Sequence, residues 1–184
     1  STISFNTTTT KGKKMLKQST LKGLVFVALL GGNLLFAGNI TIAVAANVSY
    51  AMDDLINAFH QKNADTEVKV ILGSSGKLVA QIKNNAPFDL FMSADMKFPQ
   101  ALFDEGLATA EPDVYALGSL AYLSRTPQDF TMGIKLLESP KIAKIAIANP
   151  KTAPYGKAAL EAIEHAGLMA SVKDKFVYAE SISQ

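Results

Sequence analysis

From residue 40 onward, short apolar runs alternate with stretches of helical spacing. Residues 40–44, rich in β-branched side chains, predict a buried parallel strand. The chain then passes through Ala45, Ala46 and Asn47 into a helical pattern of Ala51, Met52, Leu55, Ile56 and Phe59. Asn47 or Ser49 is the expected cap of that helix, with Asp53 and Asp54 in its early turns. Residues 67–72 predict a second strand, and the turn Gly73-Ser74-Ser75-Gly76 leads into a helix over 77–84. A third strand is expected at 89–92, then a helix with Pro99, Leu102 and Phe103 on one face and Gly106 as its stop. Further on, the pattern predicts a strand at 115–123, a short helical piece at 130–137 and a strand at 144–148. An exit loop over 149–156, a helix over 157–166 and a last strand at 175–179 complete the series. Sustained alternation of this kind means an α/β fold with largely parallel sheets.

The first 37 residues follow another pattern. Met15 reads as a start, followed by Lys17 and Lys22, an apolar stretch over 24–37 and small residues at Ala37 and Gly38. Residues 15–37 are therefore expected to be a cleavable signal peptide, the apolar stretch being shorter than the ~20 residues of a spanning helix. Residues 1–14 read as an upstream segment outside the fold. Five lysines (Lys11, Lys13, Lys14, Lys17, Lys22) and no acid fall in 1–37, so the remainder is net acidic although the whole chain is +2. The basic balance thus belongs to the leader and gives no support to nucleic-acid binding. The chain has no cysteine, so neither disulfides nor a lipid-modified cysteine are available. A soluble protein in the periplasm of a Gram-negative cell is expected. The chain stops just after a strand, at 181–184, which reads as the start of another helix; a fragment is expected.

Enzymatic chemistry is poorly supplied. His60 and His165 fall on outer helix positions with no ligand-spaced partner, and no nucleophile elbow or phosphate-binding glycine loop is present. Asp89 and Asp95 suit turn and cap roles. What remains are neutral donors in strand-to-helix turns: Asn47, Ser49, Ser74, Ser75 and Tyr155. In an open α/β sheet such turns gather at the C-terminal edge of the strands, where ligands bind. Neutral hydroxyls and helix N-termini can hold a desolvated oxyanion, and because they donate they favour one without a proton.

Taken as a set, four stretches resemble the periplasmic molybdate-binding proteins of ABC importers: residues 42–52 around Asn47, Gly73-Ser74-Ser75-Gly76-Lys77-Leu78, residues 86–95, and Asn149-Pro150 through Ala153-Pro154-Tyr155-Gly156. The terminal Ala179-Glu180-Ser181-Ile182-Ser183-Gln184 also fits. The resemblance implies a type II periplasmic-binding-protein-like α/β fold. Its two lobes, 38–118 and 119–184, would have mostly parallel sheets, the second lobe being incomplete. It implies that Asn47, Ser75, Tyr155 and the backbone of Ile182 bind the oxyanion, with Ala46 and Gly156 lining the same turns. Many members have Ser at the place of Asn47 and Ala at that of Tyr155. Molybdate, or tungstate of nearly equal size, would be the ligand, with molybdenum present only inside the oxyanion and no cofactor. The partner implied is a membrane permease, and the protein a monomer without catalytic turnover. Two alternatives stay open: a binding protein for sulfate or another small oxyanion, and a secreted α/β enzyme using Ser75 or Tyr155, for which Lys77 is the one nearby activating group.

Overall fold

The computed structural model describes residues 38–184. The expected upstream segment, 1–14, and signal peptide, 15–37, lie outside the described residues. Strand β1 (Asn39–Ala45) is the centre of a three-stranded sheet, flanked by β2 (Glu67–Gly73) and β3 (Leu90–Met92), both parallel to it. That central place explains its apolar run: Ala43 and Val44 have no exposed surface. The crossovers run through α1 (Met52–His60) and α2 (Ser75–Lys83), and α3 (Lys97–Asp104) follows β3. Leu78 and Val79 of α2 and Leu102 of α3 are buried, α2 packing on both β1 and α3. A second, two-stranded parallel sheet pairs β4 (Ile145–Ala148) with β5 (Phe176–Ala179), joined through α4 (Pro154–His165) and the short α5 (Met169–Val172). Ile145, Ile147, Ile163, Leu168 and Val172 form its buried core. Each such side chain contributes about 1.5–3 kcal/mol by leaving water. Among the described residues no helix is long and apolar enough to cross a membrane.

The strand expected at 115–123 does not form. This stretch runs without strand assignment, and Leu117 and Leu123 are 94% and 98% exposed. Side-chain preference for extended backbone makes a strand only where a neighbour accepts its hydrogen bonds, and no described strand pairs with this stretch. The expected cap at Asn47 or Ser49 is also absent. A 3-10 turn, Ala46–Ala51, intervenes before α1, and Ser49 Oγ donates back to the Ala46 carbonyl at 2.9 Å. Ser49 thus lies inside that turn, and the residue preceding α1 is Ala51, whose side chain has no oxygen to offer a helix N–H. Asp53 and Asp54 do occupy the first turn of α1.

Two helices start earlier than their apolar spacing predicts. Helix α2 begins at Ser75 rather than Lys77, and α4 at Pro154 rather than Lys157. Proline suits a first helical position because its fixed φ is already helical and its missing N–H would have no partner there. Ser75, Tyr155 and Gly156 therefore lie in first helical turns, not in loops. The helical piece over 130–137 is a kinked 3-10 segment, Phe130–Glu138, broken at Gly133 with φ 58°. Helix α5 has only four residues, too few for periodicity to reveal.

Candidate functional site

The registers bring the strand ends to common edges: Ala45 faces Gly73 across β1 and β2, Val44 faces Met92 across β1 and β3, and Ala148 faces Ala179 across β4 and β5. The residues that leave these ends enclose a small cavity of about 10 Å³. One wall comes from Ala45, Ala46 and Asn47 after β1, Ser74 and Ser75 after β2, and Ala94 after β3. The opposite wall comes from Ala153, Pro154 and Tyr155 at the start of α4 and from Ser181 and Ile182 after β5. Among the described residues no charged side chain lines it. In this geometry the space is about that of one ordered water, so any larger guest must part the walls.

Ser75 is 1% exposed, and its Oγ accepts from the Ala94 N–H at 3.0 Å. That bond uses a lone pair and leaves the hydroxyl proton free for another acceptor. The Asn47 Oδ1 is buried without a partner, an unusual condition for an amide oxygen. Beside it stands Tyr115, whose hydroxyl donates to the Ser93 carbonyl at 2.8 Å. Although Tyr115 is 49% exposed, partial burial of its phenol raises it above its ordinary range; the nearby Asn47 side chain opposes this, and neighbouring Tyr155 adds to it. The Tyr155 hydroxyl lies against the backbone of Gly118, where a Cβ would collide with it.

Asn47, Ser75, Tyr155, Ile182 and Ala46 are thus all brought to one cavity. Gly156 is not: it is buried behind the lining, where a Cβ would run into the Ala148 carbonyl. Ser49 is turned away onto the Ala46 carbonyl, and Ser74, although in the lining, has its hydroxyl spent on Glu180. His60 Nε2 lies 2.9 Å from the Thr66 carbonyl, His165 is exposed at the end of α4, and Lys77 is exposed on α2. Asp89 holds the Thr41 N–H at 2.7 Å and Asp95 the Phe98 N–H at 3.2 Å, so both serve backbone geometry. Sequence reading missed Tyr115, Gly118 and Glu180. Tyr115 and Gly118 were hidden inside an expected strand, and Glu180 reaches a partner 106 positions away.

The model of the bacterial extracellular solute-binding protein family matches residues 40–184. The chain belongs to that family. This solute-binding protein is 38% identical over 165 residues to the molybdate-binding protein ModA of Azotobacter vinelandii, covering 86% of the chain and 64% of the relative. Against ModA of Rhodobacter capsulatus it is 35% identical over 170 residues, covering 91% and 67% respectively. Its structure resembles the solved periplasmic molybdate-binding protein of Azotobacter vinelandii with a TM-score of 0.63 at 29% identity. That likeness covers 79% of this chain and 64% of the other. The solute-binding protein therefore spans about two thirds of the length of these relatives.

Proposed function

We propose that this protein is the capture component of an ABC importer and binds molybdate, and tungstate with it, without catalysing a reaction. The observation that carries the reading is the convergence of Asn47, Ser75, Tyr155 and Ile182, from four different chain segments, on one small cavity lined by no charged side chain. A few-atom oxyanion suits such a space better than a sugar or an amino acid. The Ser75 hydroxyl and the first-turn N–H groups of α2 and α4 would supply its hydrogen bonds, and the helix N-termini the positive potential. With no carboxylate among the lining residues to accept a proton from the ligand, a fully ionised oxyanion is favoured over one that keeps a proton. Asn47 would present its amide N–H to the oxyanion, the buried Oδ1 being relieved when the side chain turns. Residues 38–118 and 119–184 would act as lobes that part for entry and close over the anion. A membrane permease would receive it, and a monomer in the periplasm would carry it. The similarity to two molybdate-binding relatives supports the choice of ligand.

Calorimetric titration of the chain with sodium molybdate, tungstate and sulfate tests this. Binding of the first two and not of sulfate is expected. Binding of sulfate alone would move the site to another oxyanion, and no heat with any of the three from a folded chain would overturn the reading.

A further inference from the structure

The N-terminus of α2 is already held by a carboxylate from the far side of the cavity. Both the N–H and the hydroxyl of Ser74, the residue that caps α2, donate to Glu180 Oε1, at 3.2 and 2.7 Å. Ser74 is 3% exposed and makes no cap bond of its own to the helix. An ionised acceptor strengthens both bonds, and a negative group is favoured at a helix N-terminus. Glu180 follows β5 directly, with its own N–H held by the Gln184 side chain at 2.9 Å. Its next neighbours, Ser181 and Ile182, line the cavity opposite Ser75.

We propose that Glu180 is a positioning residue for the oxyanion site, clasping the α2 wall to the β5 wall so that Ser75 and Ile182 face each other across the cavity. The clasp has one companion, the Gly76 N–H to the Thr152 carbonyl at 2.8 Å, a bond that requires the close approach glycine permits. Glu180 itself does not line the cavity, so it acts through Ser74 and not on the anion. Because only the closed arrangement offers donors from both walls, losing the clasp lowers the fraction of molecules competent to bind and weakens the apparent affinity in proportion. Its charge has the opposite effect, repelling an anion nearby, and the direction of the change in affinity shows which of the two governs.

The inference rests on the anion-binding reading above, and its test separates the two. Ser74→Ala, Glu180→Ala, the double variant and Glu180→Gln are titrated with sodium molybdate in the full chain. Each alanine variant is expected to weaken the dissociation constant about ten-fold, as for a lost hydrogen bond to a charged group. The double variant should bind no worse than the weaker single, because both remove one interaction. Glu180→Gln keeps a carbonyl oxygen for both Ser74 donors and should restore affinity to within about three-fold of the unmodified chain. Additive losses, unchanged or tighter binding in Glu180→Ala, or a glutamine variant as weak as the alanine one would each overturn the clasp. If Glu180→Ala does not fold, Ser74→Ala and Glu180→Gln decide by the same criteria. Should the unmodified chain bind no molybdate, the same double-mutant cycle in urea without ligand still decides. Coupling between the two sites would keep the clasp while the anion reading fails, and independent effects would remove it.

Discussion

At the scale of single residues the site depends on which hydrogen-bonding valences are already spent. Ser75 gives a lone pair to the Ala94 N–H and keeps its proton, whereas Ser74 and Ser49 donate theirs to protein oxygens. Ser75→Ala should therefore weaken molybdate binding by about 1–3 kcal/mol, the worth of a hydrogen bond to a charged group, while Ser49→Ala leaves it nearly unchanged. Calorimetric titration of both variants checks this, and equal losses would remove the distinction. Tyr115 offers a second case. Its phenol is raised chiefly by partial burial, the residue being about half exposed, so the folded state binds that proton somewhat more tightly than the unfolded chain does. A group raised in this way contributes stability that is present below its unfolded pKa and is lost as pH rises through the folded one. The stability advantage of the unmodified chain over Tyr115→Phe should accordingly be constant near neutrality and shrink above about pH 10. Urea midpoints of both proteins from pH 7 to 11 measure it, and a gap independent of pH would contradict the assignment.

Elements fix where those residues stand, and they differ in how far the chain alone declares them. Strands β1 and β4 are legible because their apolar residues lie in short runs that a parallel sheet buries, β2 because Val68, Val70 and Leu72 alternate, and β5 as a short apolar run that stays partly exposed. Residues 115–123 have the same signature and form no strand, since pairing is a property of neighbours and not of a segment. Helix starts escaped for a related reason. Apolar periodicity begins only where a helix meets the core, whereas Ser75 and Tyr155 sit in first turns that face the cavity. The donors themselves were readable as residue types in strand-to-helix turns, but their pairing with Glu180 and Tyr115 is tertiary and leaves no local trace. The junction of β4 and α4 gives the sharpest consequence. Gly156 packs its Cα on the Ala148 carbonyl, and a Cβ there would meet backbone that cannot rotate away. Gly156→Val should destabilise the fold by about 1–3 kcal/mol through overpacking, and more if α4 cannot shift. A urea midpoint indistinguishable from that of the unmodified chain would mean α4 does not seat against β4 in this way.

For the whole molecule, the proposed capture and release would rest on the balance of apolar and polar contacts between the walls. Buried apolar residues lie within each sheet-and-helix layer, the cluster of Ile145, Ile147, Ile163, Leu168 and Val172 on one side and Val44, Leu78, Val79 and Leu102 on the other. Across the cavity, by contrast, the hydrogen bonds that join the walls among the described residues are few: Gly76 to Thr152 and Ser74 to Glu180. Under the proposed reading, opening would break only these few bonds and so cost little compared with unfolding either layer. An anion that fills the cavity adds bonds to both walls at once and binds the folded state alone. Its stabilisation then follows mass action, about 2.7 kcal/mol at a free concentration one hundred times its dissociation constant. Thermal unfolding of the chain should move upward continuously with the logarithm of molybdate concentration, and tungstate should act alike. Sulfate at the same concentrations should give no shift beyond that of an equal ionic strength of chloride. An equal response to all three anions would instead indicate general anion exclusion or screening, and the cavity would then have no part in it.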